Sequence, residues 1–72
     1  MPEKLLAILS PLMGLVPEKI QPDMCLYEYC DEIDIAEIIV DIEDAFDIEI
    51  PDEVVDSWVY VRDIVDYLEK TE

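Results

Sequence analysis

The side chains in this sequence that could do chemistry are two cysteines, two serines and a large number of carboxylates. Cys25 and Cys30 are the only cysteines, and there is no histidine. A nucleophilic thiol needs a base and an electropositive setting. Glu28, Asp31 and Glu32 surround Cys30 and oppose its ionisation, so both cysteines read as reduced structural thiols. They lie too close together for a long-loop disulfide, and without histidine no zinc site is expected. Twenty Asp and Glu stand against four Lys and Arg, a formal charge of -16. A carboxyl acting as general acid must be buried so that its pKa rises, whereas most of these acids fall on the polar sides of helices. Asp41-Ile42-Glu43-Asp44 lacks the alternating oxygen ligands and central glycine of a calcium loop, which leaves only loose divalent-ion binding to the acidic surface. No catalytic residue and no metal ligand is assigned, and the chain is not read as an enzyme.

Those acids are positioned chiefly by one stretch, Cys30 to Phe46. Its spacing predicts an amphipathic helix with Asp31 as N-cap and acidic side chains in the first turn, where the helix dipole favours them. At about 100° per residue, Ile35, Ile38, Ile39, Ile42 and Phe46 share one side and suit a core. Ile33, Ala36 and Val40 form a second apolar group nearly opposite, with Glu37, Asp41, Glu43 and Asp44 near it. A short chain cannot easily bury both faces. The second face therefore meets solvent or a partner, unless the connection from Leu15 to Tyr29 covers it.

Seventy-two residues, 53% of them hydrophobic, make one small domain over residues 1–72, near the lower limit for a single core. The charge makes nucleic acid and anionic membrane unfavourable partners, and a basic protein patch the natural complement. No apolar run is long enough to span a membrane and no signal-peptide layout opens the chain, so a cytoplasmic monomer is expected.

Before the central helix, Pro2-Glu3-Lys4 opens a first helix whose stripe is Leu5, Leu6, Ile8, Leu9, Leu12 and Met13, with Gly14 suited to its C-terminal end. Pro11 should kink that helix near Ala7 or finish it early. Leu15 to Tyr29 reads as a long connection carrying Pro17 and Pro22. Val16, Ile20, Met24, Leu26, Tyr27 and Tyr29 are too many apolar groups for a solvated linker, so it should pack down over the helices. After a loop at Asp47–Ile50, Pro51 starts a short helix to Asp56, Ser57–Tyr60 makes an extended bridge, and Val61 to Lys70 closes the chain with Val61, Ile64, Val65 and Leu68 on one face. The expected fold is all-α, a small four-helix bundle with a short third helix and a long first loop.

From Asp31 onward the chain resembles the acyl carrier protein family. The family's central helix carries Asp-Ser-Leu-Asp, then Glu-Leu, Leu-Glu and Phe. The same offsets here read Asp31-Glu32-Ile33-Asp34, Glu37-Ile38, Ile42-Glu43 and Phe46. Glu49-Ile50-Pro51-Asp52 and Val61-Arg62-Asp63-Ile64-Val65-Asp66-Tyr67-Leu68 resemble its next two signatures, and Gly14-Leu15 with Ile20 its weaker first one. The resemblance implies a bundle of acyl-carrier-protein type. It also implies that partner enzymes, synthases or other carrier-binding enzymes, read the exposed face of the central helix. That assigns Glu32, Ile33, Ala36, Glu37, Val40, Asp41 and Asp44 as partner-binding residues, the same face that the angular pattern leaves open.

One position departs. The family attaches 4′-phosphopantetheine through a serine directly after the Asp, and this chain has Glu32 there, whose carboxylate cannot form that phosphodiester. The usual glycine shortly before the pair is also missing, with Tyr29-Cys30 in its place. The resulting expectation is no prosthetic group, with the domain acting as a protein–protein interaction module or decoy for carrier-binding enzymes. The alternative is a working acyl or aminoacyl carrier in fatty-acid or polyketide type biosynthesis. That role would need a non-standard attachment site such as Cys30, or an engineered Ser-to-Glu change at Glu32, and only under it is 4′-phosphopantetheine expected.

Overall fold

The computed structural model describes residues 2–71. Five α-helices succeed one another: α1 Glu3–Met13, α2 Leu26–Tyr29, α3 Glu32–Phe46, α4 Asp52–Asp56 and α5 Val61–Thr71, with one 3-10 turn at Pro17–Lys19. There is no β-strand among the described residues, and the all-α bundle expected from the periodicity is the architecture observed.

Helix α1 does not finish early at Pro11. It runs on to Met13 and ends at Gly14, whose φ of 70° is the left-handed conformation that glycine adopts without a Cβ penalty. Pro11 lies in the last turn, so the helix forgoes a single bond to the Ala7 carbonyl. Ala7 is exposed, where water can take up that carbonyl. Ser10 holds the exit by accepting backbone N–H groups from both Gly14 and Leu15.

The connection to α3 is partly helical. A four-residue helix is too short to show a period in sequence, and α2 exists because tertiary partners hold it. Leu26 is buried, its N–H donates to the Val59 carbonyl at 2.8 Å, and the Cys30 N–H closes the turn on the Leu26 carbonyl. Further along the chain the Val61 N–H donates to the Met24 carbonyl and the Arg62 N–H to the Pro22 carbonyl, with Cys25 and Tyr60 in an antiparallel bridge. Ser57, expected in the extended bridge, instead keeps a right-handed helical conformation and closes α4 on the Val54 carbonyl. Of the apolar residues expected to pack down here, Ile20 and Leu26 are buried and Met24 is half-buried. Val16, Tyr27 and Tyr29 remain exposed.

The core gathers Leu5, Leu9 and Met13 from α1, Ile35, Ile38 and Ile42 from α3, and Val61, Ile64 and Leu68 from α5, closed by Ile20, Leu26, Ile50 and Trp58. Complete burial of a side chain such as Ile38 or Ile42 is worth about 1.5–3 kcal/mol. Trp58 seals one end, set edge-on to Tyr67 with ring centroids 6.0 Å apart. Every buried side-chain nitrogen or oxygen among the described residues has a hydrogen-bond partner.

Candidate functional site

Helix α3 is built to present one face and bury the other. Its start is fixed by a reciprocal capping box: the Asp34 N–H donates to the Asp31 carboxylate at 2.9 Å, and the Asp31 N–H donates to the Asp34 carboxylate at 3.2 Å. Its end turns at Asp47, which takes the left-handed conformation at φ 54°. Beyond that turn, the Glu43 carboxylate accepts the Ile50 N–H at 2.9 Å and holds the loop to α4 against the helix. Glu43 is therefore half-buried and engaged, whereas Glu37 and Asp44 are exposed.

On the inner side Ile35, Ile38 and Ile42 are buried, and Ile39 and Phe46 are half-buried, as the periodicity predicts. On the outer side Ile33 is 78% exposed and Val40 57% exposed, with Ala36 exposed between them. The connection from Leu15 to Tyr29 does not cover them. Around this strip stand Glu32, Glu37 and Asp44, all exposed, and Asp41, which is half-buried. The face is continuous over two helical turns, because residues 33, 36 and 40 follow the i, i+3, i+7 spacing.

Cys30, just before the cap, is buried, with its thiol directed at the Leu12 carbonyl 3.9 Å away. Burial, then Asp34, then Asp31 push its pKa up, which makes it a structural thiol and a poor nucleophile. Among the described residues no group of three or more His, Cys, Asp or Glu side chains is placed to hold a metal ion.

A family model described as "Phosphopantetheine attachment site" matches residues 3–68. The chain is similar to the acyl carrier protein of Syntrophobacter fumaroxidans, 38% identical over 69 residues that cover 93% of this chain and 85% of that protein. It is similar to the acyl carrier protein of Thermosynechococcus vestitus, 34% identical over 68 residues covering 92% and 84%. That of Akkermansia muciniphila is 33% identical over 72 residues, covering 97% and 90%. The chain belongs to the acyl carrier protein family. Acyl carrier proteins are carriers and not enzymes, and their work is done in contact with synthases and other carrier-binding enzymes.

Membership overturns one expectation. The absence of a prosthetic group, inferred from Glu32, is contradicted by a match to the attachment-site model across nearly the whole chain and by relatives named as acyl carrier proteins. The family's group is 4′-phosphopantetheine. The expectation weighed two local departures, the missing serine at Glu32 and the missing glycine before it, above the agreement of the rest of the chain with the family.

The residues at the matching position do not fit the family's usual linkage. Glu32 opens α3 with an exposed carboxylate, which offers no hydroxyl for a phosphodiester. The two serines lie elsewhere: Ser10 donates its hydroxyl to the Leu15 carbonyl at the end of α1, and Ser57 donates to the Val54 carbonyl after α4. Cys30 is closed off by its burial. Sequence reasoning named the strip residues and Glu32. It did not bring Tyr27 of α2 or Val55 and Asp56 of α4 to the groove beside Glu32, because those two short helices share no spacing with α3.

Proposed function

We propose that this chain works by presenting the outer face of α3 to carrier-binding enzymes, with Ile33, Ala36 and Val40 as an apolar centre and Glu32, Glu37, Asp41 and Asp44 as its acidic border. The observation that carries this is the two-faced helix: three inner isoleucines are buried while Ile33 is 78% exposed. A large aliphatic side chain left in water on a rigid, capped helix favours contact with a partner. No Lys or Arg lies between Lys19 and Arg62, so the elements α2 to α4 form an uninterrupted acidic surface. Its complement is an enzyme surface with a basic patch around a shallow apolar centre. Self-association of two such surfaces is opposed by the net charge of -16, which supports a monomer. The reading places the protein in the cytoplasm, beside fatty-acid or polyketide type enzymes.

A phosphopantetheinyl transferase is a suitable test partner, because it must recognise carrier domains before acting on them. Reversing Glu37 and Asp44 to Lys should weaken its binding at least about tenfold, since each reversal turns an attraction into a repulsion. The far-ultraviolet circular dichroism should stay unchanged. Equal binding by the double variant counts against the face. Intact mass after incubation with the transferase and coenzyme A reports separately on loading: a gain of one arm identifies a working carrier.

A further inference from the structure

By its own sequence, α3 ends against its dipole. The last turn holds Glu43 and Asp44 and no basic residue, and Asp47 follows at the turn. Three acids thus stand where the helix already gathers negative charge. The Asp47 and Ile48 N–H groups both donate to the Glu43 carbonyl, so the carbonyls after it must find partners elsewhere. One partner comes from the other end of the sequence. Lys4, exposed in the first turn of α1, donates its ammonium to the Ala45 carbonyl at 3.4 Å. The same ammonium stands over the ring of Phe46, 5.8 Å from its centroid. Two contacts of different kinds therefore converge on neighbouring residues of one turn, and the charge itself opposes the dipole there.

The other cations are placed elsewhere. Lys19 ends the 3-10 turn, Arg62 stacks on Tyr60 at 4.3 Å, and Lys70 lies in the last turn of α5, beside Trp58 and Tyr67. The Lys4 contacts differ from the general electrostatics of the molecule in the sign of their response to salt. Salt relieves repulsion among the acids and steadies the fold, whereas it screens Lys4 from the helix end and weakens its hold.

We infer that Lys4 is a charged clasp that ties α1 to the last turn of α3 and so holds the far end of the docking face, Asp44 above all, in place. The inference rests on the docking role proposed for α3. It adds a positioning residue on a helix that the docking face does not include.

The test is amide hydrogen exchange, read residue by residue by NMR on the whole chain and three variants. Lys4→Met keeps an unbranched side chain and removes the charge, Lys4→Arg keeps the charge, and Lys19→Met makes the same change of net charge away from α3. With Lys4→Met, the amides of Asp44, Ala45, Phe46, Asp47 and Ile48 should exchange about fivefold faster at low salt. That ratio should fall towards one in about 0.5 M sodium chloride. Lys4→Arg should restore the wild-type rates, and Lys19→Met should leave them unchanged. Affinity for the phosphopantetheinyl transferase should be about threefold lower in Lys4→Met than in Lys19→Met, which has the same net charge. Equal exchange in wild type and Lys4→Met, or equal quickening by Lys19→Met, overturns the clasp. Faster exchange with undiminished transferase affinity, in a protein whose binding does respond to the Glu37 and Asp44 reversals, overturns its part in docking. If those reversals have no effect, the docking face falls, and the exchange rates alone decide the clasp.

Discussion

Glu32 and Gly14 show how much a single residue decides in a chain this small. At Glu32 a carboxylate occupies the first position of α3, where the helix dipole favours negative charge by about 0.3–1 kcal/mol. The residue is thus good for the helix while being chemically wrong for the phosphodiester of the family. Asp31 and Asp34, on either side of Ile33 and Glu32, already satisfy each other's backbone, so Glu32 is not needed as a cap and its side chain is free. Gly14 carries a different constraint. No heavy atom lies within 4 Å of where its Cβ would stand, so a methyl group has room, and only the φ of 70° resists substitution. Gly14→Ala should therefore destabilise the fold by about 1 kcal/mol in urea unfolding, through backbone strain alone. A neutral result would mean that the exit from α1 relaxes to another conformation.

Between elements, the joints are made by backbone groups and the side chains that hold them. The start of α5 is the clearest case. Asp63 accepts the N–H groups of Val59 and Tyr60, each at 2.9 Å, and so fixes the bridge whose Val59 carbonyl pairs with Leu26, next to the Val61 and Arg62 amides that α5 donates to Met24 and Pro22. Those two hydrogen bonds, with Arg62 adding a smaller effect, hold the Asp63 carboxyl below its ordinary pKa. A carboxylate with a depressed folded-state pKa contributes stability that is complete above its unfolded pKa of about 3.9 and is lost as pH falls through the lower folded value. Protonation of the many other acids also relieves repulsion, so the informative quantity is a difference. The stability of wild type minus Asp63→Asn should be positive near neutral pH and shrink towards zero below about pH 4. A difference independent of pH would show that Asp63 acts here without its charge. The same scale explains Glu43, which lies among the acids bordering the α3 strip but is spent on the Ile50 N–H in holding the α3–α4 loop.

The whole molecule is dominated by its charge. With -16 on 72 residues and no Lys or Arg from residue 20 to 61, the folded state repels itself along α2, α3 and α4. Loosely bound cations or a basic protein surface lower that repulsion by screening or by pairing. The midpoint of thermal unfolding should rise by on the order of 5–10 °C between low salt and about 0.5 M sodium chloride, and at lower concentrations of magnesium. A flat response would show that the acids are already compensated within the fold. None of the described helices is long and apolar enough to cross a membrane. The same acidity gives the docking reading its direction, because a partner lacking a basic patch would meet repulsion before contact.

Residue order alone determined the all-α class, the span and cap of α3, its two apolar faces and the family, because each depends on local spacing that repeats along one helix. Ile35, Ile38 and Ile42 could be assigned to the core, and Ile33 and Val40 to the opposite face, by counting angles. Tertiary structure decided what joins segments without a period. It placed α2 against Val59, sealed the core with Trp58, set Asp63 under two amides, engaged Glu43 in the loop, and brought Tyr27, Val55 and Asp56 to the groove beside Glu32. Such contacts depend on which chain segments meet after collapse, and separation along the chain carries no signal of that meeting.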